Sequence, residues 1–123
     1  MKGRCNCGAI SFETQGPVWG ASACHCGQCR KQSGGVWHSA VIPQADLQIA
    51  GKPVWYRSSS SAQRGFCGTC GAFLFWKHDE ETSMSFAMGA VDDPDAPKLE
   101  KHIFVADKGT YYEIADGLPQ KEN

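Results

Sequence analysis

Apolar side chains recur at every second position over much of the chain, the period of a strand with one face in a core. The clearest case is Met84, Phe86 and Met88, set among Ser83, Ser85 and Ala87, and this stripe reads as core packing. Ile10 and Phe12 alternate with Ser11 and Glu13. Leu47 and Ile49 fall on one side of a segment that ends at Ala50-Gly51-Lys52-Pro53. Val36, His38, Ala40 and Ile42 interleave with Trp37, Ser39 and Val41, which predicts a strand buried on both faces. Further strands are expected over 18–23, 54–57, 73–76, 102–105 and 111–114. Ser58 to Ser61 is a polar turn, and two prolines make Asp92 to Pro97 a loop. Only 27–33 suggests a helix, about two turns long. With no internal repeat, heptad pattern or linker, residues 1–123 read as one mainly β domain.

Composition adds two constraints. Lys plus Arg is 12 and Asp plus Glu is 13, a formal charge of -1, where a dedicated duplex-DNA binder would normally carry a basic face. The longest strongly apolar run, Ala72 to Trp76, is far short of a bilayer span, and Met1-Lys2-Gly3 leads directly into Arg4-Cys5 without an apolar signal region. The expectation is a cytoplasmic protein without membrane or nucleic-acid partners, in a compartment that keeps thiols reduced.

That expectation makes the seven cysteines the leading clue. They fall in three clusters: Cys5-Asn6-Cys7-Gly8, Cys24-His25-Cys26-Gly27-Gln28-Cys29 and Cys67-Gly68-Thr69-Cys70-Gly71. Thiols one or two residues apart in a glycine-containing turn suit a tetrahedral zinc ion. A thioredoxin-type redox role for CxxC requires a βαβ context that is missing here. Seven ligands divide into four and three. Cys5 and Cys7 with Cys67 and Cys70 make a closed site that staples distant segments together. Cys24, Cys26 and Cys29 leave a fourth position for water or a non-protein thiol; His25 lies between two ligands and points away, whereas His38 or His78 as a fourth ligand stays an open alternative.

Charge selects the chemistry of the three-cysteine site. Three thiolates on a dication sum to about -1, a weaker Lewis acid than zinc held by neutral histidines. Water activation is disfavoured, while an incoming thiol is held as a nucleophilic thiolate. The zinc-deaminase signature is absent, because Cys26 follows His25 where glutamate is needed. Two zinc ions and seven thiolates change the formal charge to -1 - 7 + 4 = -4, which further disfavours a nucleic-acid partner.

Three stretches, 3–10 (Gly3-Arg4-Cys5-Asn6-Cys7-Gly8-Ala9-Ile10), 24–34 (Cys24-His25-Cys26-Gly27-Gln28-Cys29 to Gly34) and 64–71 (Arg64-Gly65-Phe66-Cys67 to Gly71), resemble the glutathione-dependent formaldehyde-activating enzyme family, which also includes centromere protein V. The ending, His102 to Val105 and Asp116-Gly117-Leu118-Pro119, is similar as well. The resemblance implies a small zinc-stabilised, Mss4-like β fold, with two or more short antiparallel sheets and at most one short helix. It also implies a structural zinc on Cys5, Cys7, Cys67 and Cys70 and a catalytic zinc on Cys24, Cys26 and Cys29. The implied activity is that of a carbon–sulfur lyase joining glutathione to formaldehyde. Arg30 and Lys31 follow the last ligand and are candidates to pair with glutathione carboxylates. Trp37, His38 and Arg64 are candidate pocket residues. A non-catalytic zinc-stabilised binding module, as in Mss4-like proteins, is the alternative, and a chromatin-associated role is a third reading.

Overall fold

A computed structural model describes residues 1–94 and 96–123. In chain order the strands are β1 (Lys2–Arg4), β2 (Ser11–Thr14), β3 (Trp19–Cys24), β4 (Trp37–Pro43), β5 (Leu47–Ala50), β6 (Val54–Arg57), β7 (Ala62–Phe66), β8 (Phe73–His78), β9 (Ser83–Ala87) and β10 (Lys101–Ile103). A single helix among the described residues, α1 (Gly27–Ser33), connects β3 to β4. The small sheet has the order β1-β2-β5 and the large one the order β10-β3-β4-β9-β8-β7-β6. The fold is therefore mainly β, as the alternation predicts.

The core lies where the two sheets meet. Phe12 from β2 packs edge-on against Phe75 of β8 at 5.6 Å between ring centroids and lies 5.5 Å from Phe86 of β9. Ala21, Ala40, Ile42, Leu74 and Met84 complete the same buried cluster. Strand alternation then sends the intervening residues to the other face of the large sheet. β4 is buried on both faces, with Ser39 and Ala40 both covered, although His38 within it is exposed. Phe86 is fully buried at the centre of the cluster, so Phe86→Ala is expected to cost about 3–5 kcal/mol in urea unfolding.

Three expectations need correction. The segment 111–114 is not a strand: Tyr111 is in a turn and Tyr112 to Ile114 are irregular, and Tyr112 packs by its side chain onto His25 of the second cysteine loop instead of joining a ladder. The strand expected over 102–105 is Lys101–Ile103; Phe104 leaves it with φ 55 and ψ 39, and a 3-10 turn covers Val105–Asp107. Pairing is antiparallel throughout except at one edge, where β10 runs parallel to β3. Of the loop expected over 92–97, Asp95 lies outside the described residues; the others form no regular element. No helix among the described residues is long and apolar enough to cross a membrane.

Candidate metal centres and substrate cavity

Two similar turns form the first thiol group. In one, Cys5 N–H donates to Ile10 O at 2.9 Å and Gly8 N–H returns to Cys5 O at 3.2 Å. In the other, Cys67 N–H donates to Ala72 O at 3.0 Å and Gly71 N–H returns to Cys67 O at 2.8 Å. Gly8 and Gly71 take φ of 82 and 78, the left-handed conformation that closes each turn without a Cβ clash. All four sulfurs lie within 4.8 Å of one another, and Cys7 Sγ stands 3.7 Å from both Cys5 Sγ and Cys67 Sγ. A Zn–S bond of about 2.3 Å puts the corners of a sulfur tetrahedron about 3.8 Å apart, so this set fits a tetrahedral thiolate site. Backbone amides support it: Ile10 N–H donates to Cys5 Sγ at 3.3 Å and Thr69 N–H to Cys67 Sγ at 3.4 Å. The Ala72 N–H, with that of Cys7 behind it, pulls the Cys70 thiol down to about 6, so it is largely thiolate at neutral pH.

The second group is built on one connection. Cys24 is the last residue of β3, Cys26 caps α1, and Cys29 lies buried in the first turn of α1. Cys26 Sγ accepts the Cys29 N–H at 3.3 Å, as a serine cap would. Gly34, with φ 84, ends the helix by donating to Arg30 O at 3.0 Å. The three sulfurs again lie within 4.8 Å of one another. Hydrogen bonds from Cys24 and Cys29 hold the Cys26 thiol well below the usual thiol range, and the same contacts push Cys24 up. Arg64 of β7 brings the compensating charge: its Nη1 donates to Cys29 Sγ at 3.3 Å, its guanidinium covers the Phe73 ring at 5.4 Å, and it is only 5% exposed. No histidine or carboxylate among the described residues joins these three thiols.

His25 points away from them into a chain of polar groups. Its Nδ1 meets the Tyr112 hydroxyl, its Nε2 lies 2.8 Å from His102 Nδ1, and His102 Nε2 lies 2.8 Å from Asp116 Oδ2. Chemistry fixes the direction of this chain. The Asp116 carboxylate only accepts, so His102 Nε2–H donates to it and His102 Nδ1 is left as an acceptor. His25 Nε2–H then donates to His102, and the Tyr112 hydroxyl donates to His25 Nδ1. Burial pushes the His25 pKa down, in keeping with one proton on its ring. With His25 N–H bonded to Ile103 O at 3.0 Å, the chain ties the Cys24–Cys26 loop to β10 and the C-terminal segment.

The three thiols stand in the wall of a cavity of about 850 Å³ on the face of the large sheet opposite the core. Trp19, Val41, Ser85, Trp76 and Arg64 are successive cross-strand partners on β3, β4, β9, β8 and β7, and all five line it. Ser22 and Ser39, paired with each other, form a second row, and Lys101 of β10 stands beside Ser22. The floor is thus a row of side chains crossing five strands with a shorter second row beside it.

The sequence model of a family described as glutathione-dependent formaldehyde-activating enzyme matches residues 1–107. The chain belongs to that family. No curated protein matches it. A crystal structure of a Rhodobacter sphaeroides protein has the same fold, with a TM-score of 0.63 and 23% identity over 80% of this chain and 97% of that one. The name of the glutathione-dependent formaldehyde-activating family ties its members to a thiol and an aldehyde, and two thiol clusters that fit zinc agree with such chemistry.

Within this member of the glutathione-dependent formaldehyde-activating family, the residues singled out by sequence divide. Trp37 and Arg64 line the cavity. Arg30 and Lys31 do not, although both lie on α1 beside Cys29. His38 instead faces a separate cavity of about 460 Å³ near Cys5 and Arg4, and His78 lines the large cavity without joining the thiols. Sequence reading missed Lys101, Trp76 and Trp19. Trp76 alone carried a signal, its alternation with the core residue Phe75 along β8; Trp19 and Lys101 carried none.

Proposed function

We propose that this protein adds a small thiol, glutathione in the first instance, to an aldehyde, and that it is formally a carbon–sulfur lyase. The observation that carries the reading is the three-thiol group of Cys24, Cys26 and Cys29, without a fourth protein ligand among the described residues, in the wall of a cavity large enough for a tripeptide. Cys5, Cys7, Cys67 and Cys70 are assigned to a structural zinc that joins the two sheets. Cys24, Cys26 and Cys29 would hold a zinc ion, and the chemistry it would supply is to keep an incoming thiol ionised at neutral pH.

The protein's own groups do the rest. Arg64, beside Cys29 Sγ, offsets the negative charge of the three thiolates and is the cation available at this end of the cavity to an oxygen that gains charge as the carbonyl is attacked. Glutathione carries two carboxylates and one ammonium. The cavity offers Lys101 to a carboxylate and Asp107 to the ammonium, whereas Arg30 and Lys31 do not line it. Ser22, Ser39 and Ser85 provide small hydroxyls along the floor for the peptide groups between these charges.

Cobalt-substituted protein tests this reading. Glutathione in the low millimolar range is expected to shift the metal's visible absorption, and Cys26→Ser protein, whose second site is broken, is expected to show no shift. A spectrum unmoved by glutathione in the intact protein would overturn the assignment.

A further inference from the structure

One of the two thiol groups is braced from behind, and the other is not. The residues between the ligands of the first group, Asn6, Gly68 and Thr69, are exposed. In the second group Cys24 ends β3 and Cys26 is extended, with φ -64 and ψ 158, so His25 between them projects from the side opposite the thiols. It is 1% exposed there, and both of its ring nitrogens are bonded. Fixing that ring fixes the backbone that carries two of the three thiols.

The support behind His25 is a series of side chains, each oriented by the next. Leu118 N–H donates to Asp116 Oδ1 at 3.0 Å and sets the carboxylate, leaving Oδ2 for His102. His102 is 6% exposed, and the C-terminal segment brackets its backbone: its N–H donates to Pro119 O at 2.8 Å and its carbonyl accepts from Lys121 N–H at 2.9 Å. On the other side of His25, the Tyr112 ring stacks with centroids 5.5 Å apart. Lys108 holds Tyr112 in turn, with Nζ 2.5 Å from its carbonyl oxygen and 4.6 Å from its ring centroid. Two buried imidazoles carry a desolvation cost that an apolar pair of similar size avoids, so packing alone does not account for them. The three-thiol group also has the greater need of support. It has one protein ligand fewer than the four-thiol group, and all three thiols come from a single short connection, so its geometry depends on that connection holding still.

We infer that His102 and Asp116 are positioning residues for the working site: through His25 they hold Cys24 and Cys26 at the spacing that retains an ion on three thiols. Tyr112 acts with them from the other side of the His25 ring. None of the three lines the cavity, so they act by placing the ligands and not by contact with substrate. The working site thus extends into the C-terminal segment, beyond the residues 1–107 that the family model matches. This rests on Cys24, Cys26 and Cys29 forming a metal site, and it holds whichever thiol or aldehyde the protein uses.

Release of zinc from the loaded protein to an excess of chelator carries its own control, because the two sites are read in one sample. The intact protein is expected to lose two ions in two phases, and Cys26→Ser protein, whose second site is broken, identifies the phase that belongs to the four-thiol group. Asp116→Ala, at a position whose side chain is 42% exposed, leaves the core untouched, whereas His102→Leu removes the buried link itself. Both are expected to speed the working-site phase at least about tenfold and to leave the four-thiol phase within about twofold, since losing an outer-shell partner of metal ligands typically costs about 10- to 100-fold in affinity. His102→Asn, whose amide oxygen takes the His25 N–H in place of the ring nitrogen, is expected to fall between His102→Leu and the intact protein. Two ions bound, with release unchanged in Asp116→Ala and His102→Leu, would overturn the inference and leave thiol addition standing. Equal acceleration of both phases would overturn it too, as the mark of a general loosening of the fold. A single ion in the intact protein would overturn the metal assignment of the three thiols and this inference together.

Discussion

Cys67→Ser is expected to abolish the cooperative fold. Cys67 is 1% exposed, and its sulfur joins the turn after β7 to Cys7 from a point 60 residues earlier. The small sheet is joined to the large one through the core and through this thiol group. Structural zinc contributes roughly 10–16 kcal/mol of apparent binding free energy in small domains, while whole domains are stable by only about 5–15 kcal/mol. Losing one ligand weakens binding enough to exhaust that margin. Circular dichroism should show no thermal transition for Cys67→Ser, and a chelator should produce the same loss in the intact protein. A variant melting at the temperature of the intact protein would show that the four thiols are not needed for folding.

Cys26→Ser is expected to do the opposite: keep the fold and abolish thiol addition. The choice of serine matters. Cys26 caps α1 by accepting the Cys29 N–H, and serine is among the best capping residues, so the helix start survives where alanine would cost about 1 kcal/mol. What serine does not provide is a soft, ionised sulfur. Metal analysis should fall from two ions per chain to one, with the melting temperature within a few degrees of the intact protein. If Cys26→Ser unfolds the chain as Cys67→Ser does, the division into a structural and a working site is wrong.

Much of this was open to inspection in the sequence. The Met84-Phe86 alternation located β9 and put Met84 and Phe86 on its buried face; that Phe12 meets Phe86 there is seen only in the packing. The cysteine spacings carried the division into four and three, because each turn is local and its glycine marks its geometry. Other features were hidden for identifiable reasons. β1 and β7 are short and weakly patterned, and Arg64 in β7 is an arginine that burial alone would not predict. It is buried because a thiol group and the Phe73 ring receive it, and those come from other strands. The bulge in β3 between Trp19 and Ser22 is a matter of one residue in a pairing register that no single strand reveals. The His25–His102–Asp116 chain joins residues 77 and 14 positions apart, and only packing brings them together. Arg30 and Lys31 lie on α1 but do not line the cavity, because nearness in sequence to a ligand says nothing of which side of α1 faces it.

The different spans of the two thiol groups set a timetable for biosynthesis. Cys24, Cys26 and Cys29 leave the ribosome within six residues of one another, whereas Cys7 waits 60 residues for Cys67. At roughly 5–20 residues per second that interval is about 3 to 12 s. The three-thiol loop therefore has its complete donor set first, and the staple that closes the fold acquires its last ligands afterwards. Even then the early loop stays loosely held until His102 and Asp116 emerge and fix His25 in place. An ion captured early thus sits in a pliable loop that is locked only once His102 and Asp116 have been made.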